Sequence, residues 1–260
     1  MQTHLIICNM SGIYEQQDFY RGESHQILEL KNTEGTNGYC DDAAAQILAE
    51  NLQSQINNTL YFIDNGNYHY ISKLRCDTIG EPFDLVVFDH HSDMEEPMFG
   101  SILSCGSWIL FTLRENPHLR RILLIGPDAE QIRLCLNPVL AEDPTVEKKI
   151  TVISQEEIEG GKHPGKLRTW LEAGEGVPFF LSIDKDVLSK ETVKTNWDQG
   201  SMNLATMEEI LQAFGGVRLL GTDICGEGAM NDPSLTGEDI ARSSQVNERL
   251  IAILKGLLYT

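Results

Sequence analysis

Short apolar runs recur along the chain and alternate with segments of helical periodicity, and this alternation constrains the fold more than any other feature. The runs are rich in Ile, Val, Leu and Phe and lack polar alternation, which is typical of strands covered on both faces. Because strands and helices alternate, we predict an α/β fold, a three-layer αβα sandwich with a mainly parallel central sheet. The predicted strands are His4–Cys8, Thr59–Ile63, Leu85–Phe88, Arg121–Ile125, Lys149–Ile153, Phe179–Ile183 and Val217–Thr222.

Helical periodicity fills most of the segments between these runs. A chain of 260 residues without a repeat or a convincing linker is expected to form one domain, residues 1–260. The predicted helices are Asp41–Gln55, Ile102–Arg114, Asp128–Leu136, Leu167–Ala173, Thr206–Phe214 and Gly237–Leu258.

Composition excludes some partners and locations. The net charge of -19 argues against nucleic acid, which needs a basic surface. No run approaches the roughly 18 apolar residues of a membrane span, so no membrane role is expected. The N-terminal residues lack signal-peptide features, and we expect a cytoplasmic location. The six cysteines form no CxxC pair and are predicted to be reduced thiols.

The strongest motif is Asp89-His90-His91-Ser92-Asp93, which follows the apolar run at Leu85–Phe88 directly. Successive side chains of an extended segment point to opposite faces. If the extended geometry continues, Asp89, His91 and Asp93 project to one side, while His90 points elsewhere and is structural. Two carboxylates and one imidazole at one point indicate a metal site.

A second pair of acids ends another predicted strand. Asp184 and Asp186 follow Phe179–Ile183 at positions i and i+2 and would face the same way. Burying two unpaired carboxylates together is costly, and a bound cation removes that conflict. Lys185 points away, as a structural or surface charge.

His69 follows the predicted strand Thr59–Ile63 after a polar turn that contains Gly66. A lone histidine is weak evidence, but it gains weight beside the two acidic motifs. A fourth strand ends in the acids Asp223 and Glu227. Because ligands of open parallel sheets bind beyond the carboxyl ends of the strands, we expect these side chains to share one metal site.

These segments resemble the signature motifs of the ureohydrolase superfamily, which includes arginase, agmatinase and formimidoylglutamase. Its Gly-Gly-Asp-His, Asp-Ala-His-x-Asp and Ser-x-Asp-x-Asp motifs correspond in order and rough spacing to 65–69, 89–93 and 182–186. The resemblance spans roughly His69 to Glu227 and implies an arginase-like form of the predicted fold.

The resemblance also implies two divalent ions, with Mn²⁺ expected and Zn²⁺ or Fe²⁺ as alternatives. A hydroxide that bridges the ions would hydrolyse a linear C–N bond of a guanidino, amidine or related small molecule, and Asp93 would accept and pass on a proton. Family members often form trimers or hexamers, so the analogy includes a homo-oligomer. One ion would be held by His69, Asp89, Asp93 and Asp184, and the other by Asp89, His91, Asp184 and Asp186.

By the same resemblance, four positions are candidates for contact with substrate. Ser104 and Gly106 lie in the segment 104–108, which is expected to line the pocket and which ends in Trp108, a pocket or core residue. Trp197 lies where the family has a Gly-Thr-Pro loop, and either walls the pocket or packs on the surface. Glu227 is the candidate for the family's guanidinium-contacting acid, with Asp223 as the alternative.

Two other functions remain open from the sequence. A deacetylase-like amidohydrolase would need a single metal ion and would leave His69 redundant. A non-catalytic arginase-like protein would bind metal for stability or regulation. An ordinary nucleotide-binding protein is disfavoured because the chain has no phosphate-binding glycine loop.

Overall fold

The computed structural model describes residues 4–52, 59–97 and 100–258. Eight of the ten strands in these ranges form one parallel sheet in the order β2-β1-β4-β10-β9-β5-β7-β8, and β3 and β6 form a separate antiparallel pair. The strands are β1 His4–Asn9, β2 Ser24–Glu29, β3 Tyr39–Cys40, β4 Thr59–Phe62, β5 Phe83–Phe88, β6 Leu103–Ser104, β7 Leu119–Ile125, β8 Ile150–Ile153, β9 Phe179–Asp184 and β10 Leu219–Cys225.

Helices cover both faces of this sheet, and each face has its own apolar core. Leu48, Ile71 and Ile109 belong to the core beneath α1 to α4, whereas Trp170 and Leu250 belong to the core beneath α6 to α8. The predicted three-layer αβα architecture is therefore confirmed. The helices are α1 Asp42–Leu52, α2 Ile71–Cys76, α3 Trp108–Glu115, α4 Ala129–Glu142, α5 Gln155–Glu159, α6 His163–Glu172, α7 Leu204–Gln212 and α8 Gly237–Leu258.

All seven predicted strands are present, with ends that differ by a few residues. The prediction missed β2, because this edge strand is largely exposed and four of its six residues, SHQILE, are polar. It also missed α2 and α5, which are too short to show a helical period. The predicted helix at 102–114 begins only at Trp108, since Leu103–Ser104 forms β6, and the predicted end of α1 at Gln55 lies outside the described residues.

The central strands of the sheet bring the chemical motifs together. β4, β10, β9 and β5 are successive neighbours, and because all are parallel their carboxyl ends lie at one edge. The segments after β4, β9 and β5 carry His69, Asp186 and Asp89. Within the described ranges, no helix combines the length and hydrophobicity needed to cross a bilayer.

Candidate metal centre

Three separated segments deliver the six predicted ligands to one place. Asp184 is the last residue of β9, and a tight turn over Lys185–Val187 presents Asp186. His69 ends a short turn that leads into α2, while Asp89, His91 and Asp93 follow β5. Ligand-type atoms of His69, Asp89 and Asp93 lie within 4.8 Å of one another, as do those of Asp89, His91 and Asp186.

His69 Nδ1 faces more oxygen acceptors than it can satisfy. It lies 2.9 Å from Asp93 Oδ2, 3.2 Å from Asp89 Oδ2 and 3.7 Å from Asp184 Oδ2. A ring nitrogen donates a single hydrogen, and Nε2 is already engaged with Ser182 Oγ at 2.8 Å. Asp89 Oδ2 is buried and has no hydrogen-bond partner among the described residues. A surplus of buried carboxylate oxygens around one nitrogen calls for a cation.

His91 forms the second half of the cluster. Its Nδ1 lies 2.9 Å from Asp186 Oδ2 and 3.5 Å from Asp89 Oδ1, so Asp89 contacts both histidines through different oxygens. On the outer side, His91 Nε2 lies 3.0 Å from Asp198 Oδ1. An acceptor on the outer nitrogen favours the tautomer whose inner nitrogen is free to bind an ion.

Burial sets the charge state of these groups in the absence of an ion. It raises the pKa of Asp93 to about 7, and the neighbouring charge of Asp89 adds to the effect. Burial also raises the pKa of Asp184 and Asp186, again reinforced by adjacent carboxylates. Burial opposes a charge on His91, but hydrogen bonds that the ring donates to Asp186 and Asp89 outweigh this effect and raise the pKa of His91. These shifts favour protonation of the cluster when no ion is bound, so an ion would compete with protons for its carboxylates.

The residues present fit a pair of divalent ions. Four carboxylates and two imidazoles form a hard-to-intermediate ligand set, suited to Mn²⁺, Fe²⁺ or Zn²⁺. The two histidines lie on opposite sides of Asp89, so the set divides into two groups that share this carboxylate. The orphaned Asp89 Oδ2 is the acceptor that a bound ion would satisfy.

The ligands after β5 converge by a route that differs from the expected one. The strand ends at Phe88, and the chain then turns instead of continuing extended: His91 N donates to Asp89 Oδ1 at 2.6 Å. Asp93 adopts a positive φ of 48°, a left-handed conformation. His90 points away, as predicted, and its backbone N–H donates to Asp186 Oδ1, which ties the end of β5 to the turn after β9.

Above the cluster lies a cavity of about 550 Å³ that all six ligands line. Ser104, Gly106 and Trp197, predicted to contact substrate, also line it, together with Glu95 and Tyr39. The cluster therefore opens directly onto a pocket large enough for a small molecule.

Comparison with known proteins agrees with this geometry. The family described as the Arginase family matches residues 66–236, which contain all six ligands. The chain belongs to the arginase family. An uncharacterised protein of Thermotoga maritima is 28% identical over 224 residues, covering 86% of this chain and 80% of that protein.

Solved structures similar to this arginase-family chain share its fold at low identity. Formimidoylglutamase from Bacillus subtilis has a TM-score of 0.70 at 14% identity, covering 100% of this chain and 88% of that one. Proclavaminate amidino hydrolase from Streptomyces clavuligerus has a TM-score of 0.69 at 12% identity, with 100% and 93% covered. Arginase from Bacillus subtilis gives 0.67 at 12%, with 100% and 99% covered. At such identities the likeness shows the fold alone.

The acid predicted to contact substrate in this arginase-family site, Glu227, does not lie at the cavity. Glu227 is fully buried and forms an ion pair with Lys185, and Ser243, Asn247 and Gln17 complete its hydrogen bonds. It does not line the cavity, and its carboxylate is already satisfied, so this geometry corrects its predicted contact with substrate. The alternative, Asp223, is equally unavailable, because it pairs with buried Arg75.

Three residues of this arginase-family site were not predicted from the sequence, and a fourth, Trp108, was expected only as a pocket or core residue. Trp108 is fully buried, and its indole Nε1–H donates to Asp93 Oδ2 at 2.5 Å. Ser182 and Asp198 contact the outer nitrogens of His69 and His91. Cys225 lies 3.1 Å from Asp184 Oδ2. Ser182 stood within a recognised motif and Trp108 within the segment expected to line the pocket, but nothing in the sequence indicated that Asp198 and Cys225 approach the ligands.

Proposed function

We propose that this arginase-family chain is a hydrolase that holds two divalent ions and cleaves a linear C–N bond of a guanidino or amidine small molecule. The observation that carries the proposal is the convergence of His69, His91 and four aspartates, with surplus buried acceptors, at the floor of an accessible cavity. Buried carboxylate oxygens normally accept a hydrogen bond, whereas Asp89 Oδ2 has no hydrogen-bond partner in the described ranges.

The side chains of this site would have two roles, which are binding the ions and transferring a proton. His69, Asp89, Asp93 and Asp184 would hold one ion, and Asp89, His91, Asp184 and Asp186 the other. When bound, such ions supply Lewis-acid activation of water and of the electrophilic carbon. Asp93 is the proposed proton acceptor, because its carboxylate faces the cavity beside the proposed ions. Trp108 fixes its orientation through the indole N–H.

The lining of the cavity supports a cationic substrate. Glu95 and Glu96 line it beside the ligand aspartates, and of the described residues no lysine or arginine does so. A guanidinium or amidinium group is attracted by such a negative surface. At the mouth, Tyr39, Ile102 and Trp197 are 51%, 42% and 45% exposed and offer an apolar rim for the rest of the molecule.

Similar proteins support the same bond type. The structural neighbours named above include an amidino hydrolase and a formimidoylglutamase, whose names refer to amidine-type groups. Because Glu227 is neutralised by Lys185, recognition of the substrate cation in this chain falls to the cavity carboxylates.

Metal analysis with an activity screen tests the proposal. The purified protein, loaded with Mn²⁺, is assayed for bound metal and for urea or ammonia release from guanidino and amidine compounds. Asp184→Ala removes a ligand shared by both ions and is expected to abolish metal binding and activity. Asp42→Ala, which removes an exposed carboxylate in the first turn of α1, is the matched control and should change neither.

The competing functions give different outcomes in the same experiment. One ion per chain, retained when His69 is replaced by Ala, would favour the deacetylase-like alternative. Two ions without release from any compound would favour a non-catalytic metal-binding protein. Unchanged metal content in Asp184→Ala would contradict the shared-ligand assignment.

A further inference from the structure

Cys225 ends the strand next to the one that carries the ligand Asp184. β10 and β9 are parallel neighbours, and Cys225 is the register partner of Asp184. The thiol is 1% exposed, and its Sγ lies 3.1 Å from Asp184 Oδ2, where the S–H donates to the carboxylate. The strand pairing therefore places a sulfur beside a proposed ligand of both ions.

The sulfur also lies near a second ligand. One ligand-type atom each from His69, Asp184 and Cys225 lies within 4.8 Å of the other two, and all three residues are buried. His69 is the same residue whose Nδ1 faces Asp89 Oδ2, the buried oxygen that lacks a hydrogen-bond partner within the described ranges. The thiol and the orphaned oxygen thus approach one imidazole, and both point to a ligand at this position.

No other cysteine has these surroundings. All six cysteines lie in the described ranges and are free, and only Cys225 belongs to a group of three potential metal ligands there. Cys105 lines the cavity but is partly exposed, and Cys135 lies in α4, outside the cavity lining. These two residues provide controls that remove a thiol outside the group formed by His69, Asp184 and Cys225.

We propose that Cys225 supplies a sulfur ligand to the ion held by His69 and Asp184. Coordination replaces the thiol proton by the ion: the S–H bond breaks, the proton leaves to the buffer, and a sulfur lone pair binds the metal. The inference rests on the metal centre of the proposed function but not on hydrolysis. Because thiolates prefer softer ions, the centre would favour Zn²⁺ or Co²⁺ over Mn²⁺ more strongly than carboxylates and imidazoles alone.

Cobalt spectroscopy gives a readout that does not depend on activity. The full-length protein is loaded with Co²⁺, and its near-ultraviolet spectrum is searched for sulfur-to-cobalt charge transfer. The band is expected in the wild type, in Cys105→Ser and in Cys135→Ser, and is expected to vanish in Cys225→Ser while the bound cobalt is retained. No band in the loaded wild type, or a band that survives in Cys225→Ser, would overturn the proposal.

X-ray absorption on Zn²⁺-loaded wild-type protein keeps the test decisive if Cys225→Ser does not fold. A sulfur scatterer at about 2.3 Å from zinc is expected. A first shell of nitrogen and oxygen alone would reject the proposal. Competition adds a third measurement: Cys225→Ser should lower the preference for Zn²⁺ over Mn²⁺. A chain that shows the sulfur shell but hydrolyses nothing would refute the proposed function and leave this inference standing.

Discussion

At the residue scale, each histidine of the site has a polar partner at its outer ring nitrogen, Nε2. Ser182 Oγ contacts His69 Nε2 at 2.8 Å, and Asp198 Oδ1 contacts His91 Nε2 at 3.0 Å. Each contact occupies the outer nitrogen and directs the inner one at the carboxylate cluster. Partners of this kind fix ring orientation and tautomer, and they contribute to metal affinity without touching the ion.

Asp198 provides a direct test of this arrangement. In Asp198→Ala the outer nitrogen of His91 loses its acceptor, so metal affinity is expected to fall about tenfold or more. Asp198→Asn keeps an oxygen acceptor without the charge and should lie between the wild type and the alanine variant. Titration calorimetry with Mn²⁺ measures the three affinities. Wild-type affinity in Asp198→Ala would show that the contact has no part in metal binding.

At the element scale, the ends of β9 and β10 are joined by a buried ion pair. Lys185 follows β9, Glu227 follows β10, and Ser243 and Asn247 of α8 bond to both charged groups. Burial alone would raise the pKa of Glu227, but Lys185, Asn247 and Ser243 lower it, so the carboxylate is charged. The network fixes the two turns that carry Asp186 and Gly226 against the helix layer.

Breaking this pair should be costly. Lys185→Met leaves Glu227 buried without a counter-ion, and we expect a loss of about 3–5 kcal/mol in the free energy of unfolding. The double variant Lys185→Met/Glu227→Gln removes both charges and should recover most of that loss. Urea unfolding of metal-saturated proteins gives the values. A single-variant cost below about 1 kcal/mol, or no recovery in the double variant, would contradict the prediction.

Alanine substitutions at two glycines test whether the turn after β10 supports the metal centre. Gly226 and Gly216 both have a φ of 85°, so alanine at either position costs about 1 kcal/mol of backbone strain. A Cβ at Gly226 would also collide with Asp184 Oδ1 and lie 2.6 Å from Lys185 N, whereas nothing lies within 4 Å of one at Gly216. We expect Gly226→Ala to lose stability and bound metal, and Gly216→Ala to lose stability only, by urea unfolding and metal analysis. Equal metal content in the two variants would be the contrary result.

At the scale of the whole molecule, the proposed ions would link folding to pH. The pKa of Asp93 in the metal-free fold is about 7, above its ordinary value of about 4 in an unfolded chain. The protonated carboxyl therefore stabilises the metal-free fold fully below about pH 4, and this stabilisation is lost as the pH rises through 7. An ion must displace that proton, so metal binding strengthens over the same rise in pH.

Thermal unfolding at two pH values tests this linkage. The midpoint difference between Mn²⁺-loaded and chelator-treated protein is expected to be larger at pH 8 than at pH 6. With free metal at about 100 times its dissociation constant, the ion adds about 2.7 kcal/mol per site. Asp184→Ala, which should bind no metal, serves as the control and should show no difference at either pH. Equal differences at both pH values in the wild type would contradict the assignment.

The sequence by itself determined the layer architecture and indicated the six side chains that converge, because both depend on local patterns. Apolar runs without alternation mark strands buried on both faces, and Asp89–Asp93 and Asp184–Asp186 lie at ends of such runs. The edge strand β2 escaped detection because exposure removes that pattern. Trp197 lines the cavity, and the sequence suggested this only because the residue lies where the family has a Gly-Thr-Pro loop.

Only the tertiary structure decided which groups neutralise one another. From the sequence, Glu227 was predicted to contact substrate. In the fold it forms a buried ion pair with Lys185, which follows the neighbouring strand. From the sequence, Cys225 was predicted only to be a reduced thiol. The strand register places it beside Asp184. Such contacts join residues about 40 positions apart in the chain, and no local periodicity records them. Their energies depend on burial and distance, which are properties of the folded chain.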